Sequence, residues 1–370
     1  MNKELFYAIW TFIGVVIGAG IFGLPYVFIK AGFFTGLVVL LVAATISLIV
    51  ALYLGEIVLR TKGKHQLTGL AEKYLGKKGK YFMFIANFLS IYGALAAYII
   101  GSGQILNSIF GGNVLLFNLL FFIVVSPVIY FSINSLERFQ NVFTPLKIIL
   151  VVVLSLLLIT FVDFNNFTGF SLTNILLPYG VAIFAFTGFS AIPEMNEELK
   201  NKKNLFWAIL FGMIISLVVN LLFIFAVVGA DSDVNQVATI SLNNFGFGIG
   251  LFANLFALFA MATAFVGLGF ALKENLTLDL KLGNKISFLL VVLVPLILVL
   301  TNFFNFVELL ELAGAVAIGL ILLLILVMHS KAKKLGNRKP EYSLRNLIVF
   351  KIFLAVILIL GIIYSIKGVI

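Results

Sequence analysis

At 370 residues, with 62% hydrophobic and 11% charged side chains and a mean hydropathy of +1.18, the sequence lies far outside the soluble range and reads as a polytopic membrane protein. The absence of cysteine excludes disulfides, thiolate metal ligation and cysteine nucleophiles, and two histidines leave almost no material for a metal site or a histidine base. A net charge of +10 could suit a nucleic-acid partner, but the basic residues sit on alternate connections between apolar runs, which is a topology signal and excludes nucleic acid as a partner.

Eleven apolar runs lie near 5–30, 34–59, 81–110, 114–133, 140–162, 175–196, 205–229, 247–272, 286–302, 306–328 and 347–366. Each approaches the roughly 20 residues needed to cross a hydrocarbon core about 30 Å thick, so a lipid bilayer is the implied surround. Lys3 and Glu4 lead straight into the first run, which is too long for a signal-peptide core and is expected to stay in the mature protein. That run holds "GVVIGAGIFGLPY", Gly14 to Tyr26, with four glycines and a proline where a crossing helix should be most regular. Glu56, near the end of the second run, is expected at the interface. The following segment "RTKGKHQLTGLAEKYLGKKGKY" (60–81) sets Leu67, Leu70, Tyr74 and Leu75 at helical spacing, so it is either a short interfacial helix or a solvated basic linker.

The fifth run carries Lys147 about seven residues past its start, in "NVFTPLKIILVVV". The sixth reads "GVAIFAFTGFSAIPEM", Gly180 to Met195. The tenth begins with Glu308 and Glu311, expected near an outer entrance. "HSKAKKLGNRKPEYSLRN" (329–346) then reads as a plain basic connection to the last run, and His65 and His329 both fall in polar segments. Most of the 40 phenylalanines suit lipid-facing and helix-packing surfaces. With the amino terminus in the cytoplasm, the inside segments hold 23 of the 25 Lys and Arg residues, while Lys30 and Lys367 fall outside together with Asp163, Asp231 and Asp233. An odd number of spans then puts the carboxyl terminus outside a cell membrane.

The first and sixth runs can be laid on one another. Gly20 precedes Pro25 by five residues with Phe22 between them, and Gly188 precedes Pro193 by five with Phe189 between. The matching breaks are five spans apart, and five is odd, so the halves insert oppositely: an inverted repeat with a binding site at the bilayer midplane. A helix interrupted at Gly18-Ala19-Gly20 exposes N–H groups on one half and C=O groups on the other, which are opposite partial charges. A zwitterionic amino acid needs both, and the glycines let it reach the backbone without a buried charged side chain.

Several stretches resemble the amino acid–polyamine–organocation transporter superfamily: "IGAGIFGLPY" in span 1, "LTGLAEKYLGKKGKY" in the first inside segment and "FAFTGFSAIPEMNEELKNKKN" in and after span 6. "MATAFVGLGFALKENL" in span 8 and "LELAGAVAIG" in span 10 are similar to its amino acid/auxin and aromatic amino acid permease branch. The resemblance implies an all-α, five-plus-five inverted-repeat fold like that of the sodium-coupled leucine transporter, with broken helices 1 and 6. It divides the chain into a core at 1–346 (repeats about 5–162 and 175–328) and an appended eleventh helix at 347–370. Carried over by position, Ile17, Gly18, Ala19, Gly20 and Ile21 would hold the substrate carboxylate. The backbone of Phe184, Ala185, Phe186 and Thr187, with Gly188 at the break, would receive the ammonium, and Phe189 with Tyr92 or Tyr98 would wall the side-chain pocket. In sodium-coupled relatives span 8 offers two neighbouring hydroxyls; here the positions read Thr263-Ala264, which weakens a hard-cation site. Some sodium-independent members place a span 5 lysine there instead, as Lys147 would be. Glu194 would relay a proton or close an inner gate.

These readings imply a permease for a neutral amino acid, with aromatic and branched side chains among the candidates, using protons and no cofactor or metal. An intramembrane enzyme lacks a metal motif, a Ser–His pair and a convincing carboxylate pair. The reading from another class is an amino acid sensor resembling the membrane subunit of a spore germinant receptor. Neither the particular amino acid nor the oligomeric state follows from the sequence. A reporter active only in the cytoplasm, fused after Ile370, is expected to be silent, and strong signal there would overturn the orientation and span count.

Overall fold

In a nonpolar surround every backbone N–H and C=O must be paired within the chain, so continuous apolar runs fold as helices. The computed structural model describes residues 3–131, 136–278 and 281–369. The first half holds α1 (Lys3–Val16), α2 (Gly20–Ala31), α3 (Phe33–Leu59), α4 (Leu67–Phe110), α5 (Val114–Phe131) and α6 (Leu136–Leu158). The second half holds α7 (Tyr179–Ala185), α8 (Ala191–Glu198), α9 (Asn204–Ala230), the short α10 (Ala238–Ser241), α11 (Phe247–Leu278), α12 (Asn284–Leu300), α13 (Phe306–Glu311) and α14 (Gly319–Leu335), followed by α15 (Ile348–Val369). Among the described residues eight helices are long and apolar enough to cross a bilayer, and the pair α1 and α2, bent by 54°, makes a ninth. The sixth and ninth expected runs are the short pair α7 and α8 and the 17-residue α12. Residues 132 and 133 of the expected fourth run lie outside the described residues.

Polar contacts gather the connections at two ends. At one, the Lys200 amide donates to Glu4 (3.1 Å), Lys64 pairs with Glu197 (2.5 Å) and the Lys62 amide donates to Asn337 (2.9 Å), so the start of α1 and the segments after α3, α8 and α14 meet at a basic end. At the other, the Asp163 amide donates to the Gly229 carbonyl (2.8 Å) and Asn244 donates to Asp231 (3.3 Å). The segment 67–75 is helical, as one of the two readings of 60–81 expected. Its residues Leu67, Leu70 and Tyr74 are buried in the bundle core, and Tyr74 shares a 2.7 Å hydrogen bond with Thr61. Gly76, at φ +76°, turns the chain from this short helix into the long remainder of α4.

The segment 329–346 is not the plain connection expected. Span 10 continues as α14 to Leu335, which carries His329 into the helix and buries it completely, along with Glu56, which lies near the end of α3 but is cut off from water. The connection folds back onto α3. Tyr342 donates to the Leu52 carbonyl (2.7 Å) in the space left by Gly55, and burial pushes its phenol well above its ordinary value, so it remains a donor. Glu308, half-buried, forms with Asn305 the capping box that starts α13. Glu311 instead accepts from Ser365 of α15 (2.9 Å).

Between α13 and α14, Leu312–Ile318 takes π-helical form, and there Gly314 lies directly on the backbone of Gly180. A Cβ at Gly314 would come 1.9 Å from the Gly180 oxygen. Gly314→Ala is expected to destabilise the fold by about 1–3 kcal/mol through overpacking, read as a lower thermal unfolding midpoint of the purified protein. Gly368→Ala, where a Cβ meets nothing within 4 Å, should leave the midpoint unchanged. An equal midpoint for both variants would mean that the two backbones do not touch.

Candidate functional site

The first break begins where α1 loses its register. The Ile17 amide still donates to Ile13 (2.8 Å), but the Gly18 amide turns back to Val16 (3.0 Å), and α2 restarts at Gly20 with no side-chain cap on its first amides. In the second break α7 ends at Ala185, the Phe186 and Thr187 amides reach back to Ile183 (3.3 Å) and Phe184 (3.2 Å), and α8 restarts at Ala191. The two breaks touch: a Cβ on Gly20 would lie 3.0 Å from both Ala185 Cα and the Phe184 ring. The partially positive start of α2 therefore faces the partially negative end of α7.

A cavity of about 210 Å³ opens at this junction. Gly18, Tyr98, Phe184, Thr187 and Phe189 line its inner end, Asn87, Ser90 and Ala94 its wall on α4, and Gln66, Thr68, Glu194 and Asn275 its course toward the basic end. Toward the opposite end the bundle is packed shut. A Cβ on Gly23 would meet Leu310 at 3.0 Å, and the fully buried Phe22 lies edge-on to Phe223 and Phe256, with ring centres at 6.0 and 5.6 Å. The cavity is thus reached from one side only.

Of the two candidate tyrosines the structure brings one to the site. Tyr98 is buried, its hydroxyl lies at the bare face of Gly18 and it pairs with the backbone of Ala19. Tyr92 turns away and donates to Leu290 of α12 (3.3 Å). Ile17, Ala19 and Ile21 are buried around the first break, and Ala185 and Phe186 behind the second. Gly20 and Gly188 face protein instead of the cavity: Gly188 is closed by Val16 and Phe12, whose atoms a Cβ would meet at 2.6 and 2.7 Å. They let the broken spans lie against one another. Asn87, Ser90 and Asn275 were not singled out from the sequence. Asn87, Ser90 and Ala94 precede Tyr98 at helical spacing, so one pocket-facing residue on α4 would have identified the whole stripe.

Thr263 on α11 is buried, and its hydroxyl donates within its own helix to Ala260 (3.0 Å). Lys147 is 5% exposed, and none of the ion pairs among the described residues includes it. Three residues before it, Thr144 fills the space over Gly14, where a Cβ would meet the threonine Oγ1 at 2.5 Å. The α1–α2 span and α6 both end at the end opposite the basic one, so they run parallel, and one turn beyond the Thr144–Gly14 contact brings Lys147 level with Ile17 at the break. Glu194 is exposed at the basic-end mouth of the cavity. Tyr98→Phe is expected to weaken amino acid binding about two- to tenfold, the value of one net hydrogen bond of about 0.5–1.5 kcal/mol, while Tyr92→Phe leaves it unchanged in a titration of the purified protein. Equal affinities for the two variants would remove Tyr98 from the site.

The crystal structure of MhsT in complex with L-phenylalanine superposes with a TM-score of 0.66 over 98% of each chain at 16% identity, which shows the leucine-transporter-like inverted-repeat fold that the family resemblance implied. The chain is 28% identical over 283 residues to tyrosine-specific transport system 1 of Haemophilus influenzae, covering 70% of each protein. It is 23% identical over 363 residues to glutamine transporter 2 of Aliivibrio fischeri, covering 93% of each. Residues 1–367 match the tryptophan/tyrosine permease family, and with nearly the whole chain so covered, the protein belongs to that family of multi-pass amino acid permeases.

Proposed function

We propose that the protein is a secondary active transporter of a neutral amino acid across the cell membrane, proton-coupled and sodium-independent, working by alternating access. The observation that carries this reading is the contact between the start of α2 and the end of α7 at the closed end of a one-sided cavity. The substrate carboxylate sits at the uncapped amides of α2, its ammonium at the carbonyl end of α7, and its side chain against Tyr98 and Phe189. The charged side chains lining the cavity, Glu194 and Glu274, are exposed, so a neutral side chain suits its inner part. The named substrates of the two relatives, tyrosine and glutamine, are both neutral. The basic end faces the cytoplasm, as the positive-inside rule directs, and the repeats at about 5–162 and 175–328 rock about the site.

Sodium independence rests on Thr263-Ala264, which supplies one hydroxyl where a sodium shell needs two, and on the level of Lys147 beside the first break. A charged Lys147 is held by span 1 carbonyls and favours one conformation; a neutral Lys147 releases them. Glu194, at the mouth, passes the proton to water. Uptake into proteoliposomes of each amino acid that raises the thermal midpoint is expected under an inward proton gradient with or without sodium, and Lys147→Ala is expected to lose accumulation against a gradient. Sodium-driven wild-type uptake, or full proton-driven accumulation by Lys147→Ala, would sink the coupling assignment.

A further inference from the structure

Glu56, at the basic end of α3, has no exposed surface, yet it is ligated on both oxygens. One oxygen accepts from Arg60 (2.7 Å), Lys333 (3.0 Å) and Ser343 (3.1 Å), the other from the Leu344 amide (2.7 Å) and His329 Nε2 (2.9 Å). His329 Nδ1 lies 2.7 Å from the Lys351 ammonium of α15. An ammonium can only donate, so Nδ1 is the acceptor, Nε2 carries the ring proton, and the imidazole is fixed as a bridge between carboxylate and ammonium. The other two Lys351 N–H groups go to Asn346 (2.7 Å) and Ser330 (2.8 Å). Tyr53 of α3 stacks on His329 at 4.1 Å, with Lys351 5.0 Å from the same ring. At its far end α15 is fastened again, through Ser365 to Glu311 and through Gly361, which Tyr179 of α7 closes on.

Resting on the transport reading above, we propose that Glu56, His329 and Lys351 are positioning residues for transport: they clamp α15 to α3 and α14, so that the last helix is a strut moving with these two helices and not a peripheral addition. The physical ground is asymmetric cost. Parting α15 from α14 would strand the buried Lys351 ammonium and the His329 acceptor without partners, so relative motion during the cycle is taken up where contacts are apolar and the clamp stays shut. A chain that lacks the clamp still has both helix breaks and its cavity, but α3 and α15 separate under the load of rocking.

The absence of native cysteine allows spin labels at Lys62→Cys and Leu347→Cys to report the α3–α15 distance without background. A single narrow distance is expected in the otherwise unchanged chain and in His329→Gln, whose amide donates to Glu56 and accepts from Lys351, and a broadened distribution in Lys351→Met. In proteoliposomes assayed with L-tyrosine and, in parallel, L-glutamine, Lys351→Met is expected to lower the maximal rate at least about tenfold with substrate affinity kept within about twofold, because α15 loses its tie to His329, whose buried Nδ1 is left without a donor far from the cavity. His329→Gln should stay near the wild-type rate. A narrow distance in Lys351→Met, or a broad one with an undiminished rate, overturns the proposal. If the wild type carries neither amino acid, the transport reading has failed, while the label distances still decide whether the clamp holds.

Discussion

Inside an apolar bundle no water is at hand to pair a stray amide or carbonyl, and this single constraint gives the two interrupted spans their meaning. In the other described spans continuous helix satisfies it, widened to π-helical form at Leu312–Ile318. At residues 17–19 and 186–190 it does not, and these two places touch one another through Gly20 and Ala185. Groups left open at adjacent helix ends are of opposite sign, so what completes them best is a small molecule carrying both signs on one carbon. The surrounding architecture serves to hold two open ends together and to give them access from one side.

The glycines divide by what they face. Gly18 borders the cavity beneath the Tyr98 hydroxyl, whereas Gly20, Gly188, Gly180 and Gly314 are pressed against protein. Their shared property is thinness, which brings broken spans 1 and 6 together and lets span 10 lie on span 6 with the backbones nearly in contact. The π-helical stretch at Leu312–Ile318 falls at this crossing.

Much of this was legible from the chain. The Gly–Phe–Pro spacing repeated in spans 1 and 6 fixed both breaks, because the backbone can be opened in lipid at few residue types. The stripe along α4 was not legible, since choosing between Tyr92 and Tyr98 requires the rotation of that helix, and rotation is set by neighbours that are distant in sequence. Glu56 and His329 were misread for the same reason. Near the end of an apolar run a carboxylate ordinarily reaches water, and a histidine at the start of a basic segment ordinarily lies outside the helix. Only the return of 336–346 over α3 encloses both.

That enclosure bears on how the molecule is made. Glu56 enters the bilayer with the second span, but His329 lies 273 residues further along the chain, and Leu344 lies 288 residues further. Throughout synthesis of the intervening spans, this carboxylate waits at the membrane edge with only its neighbour Arg60 for company. A place laid down early is thus closed late, so a chain stopped before residue 329 leaves this acid with Arg60 alone until 329–344 arrives, a natural mark by which unfinished molecules differ from complete ones.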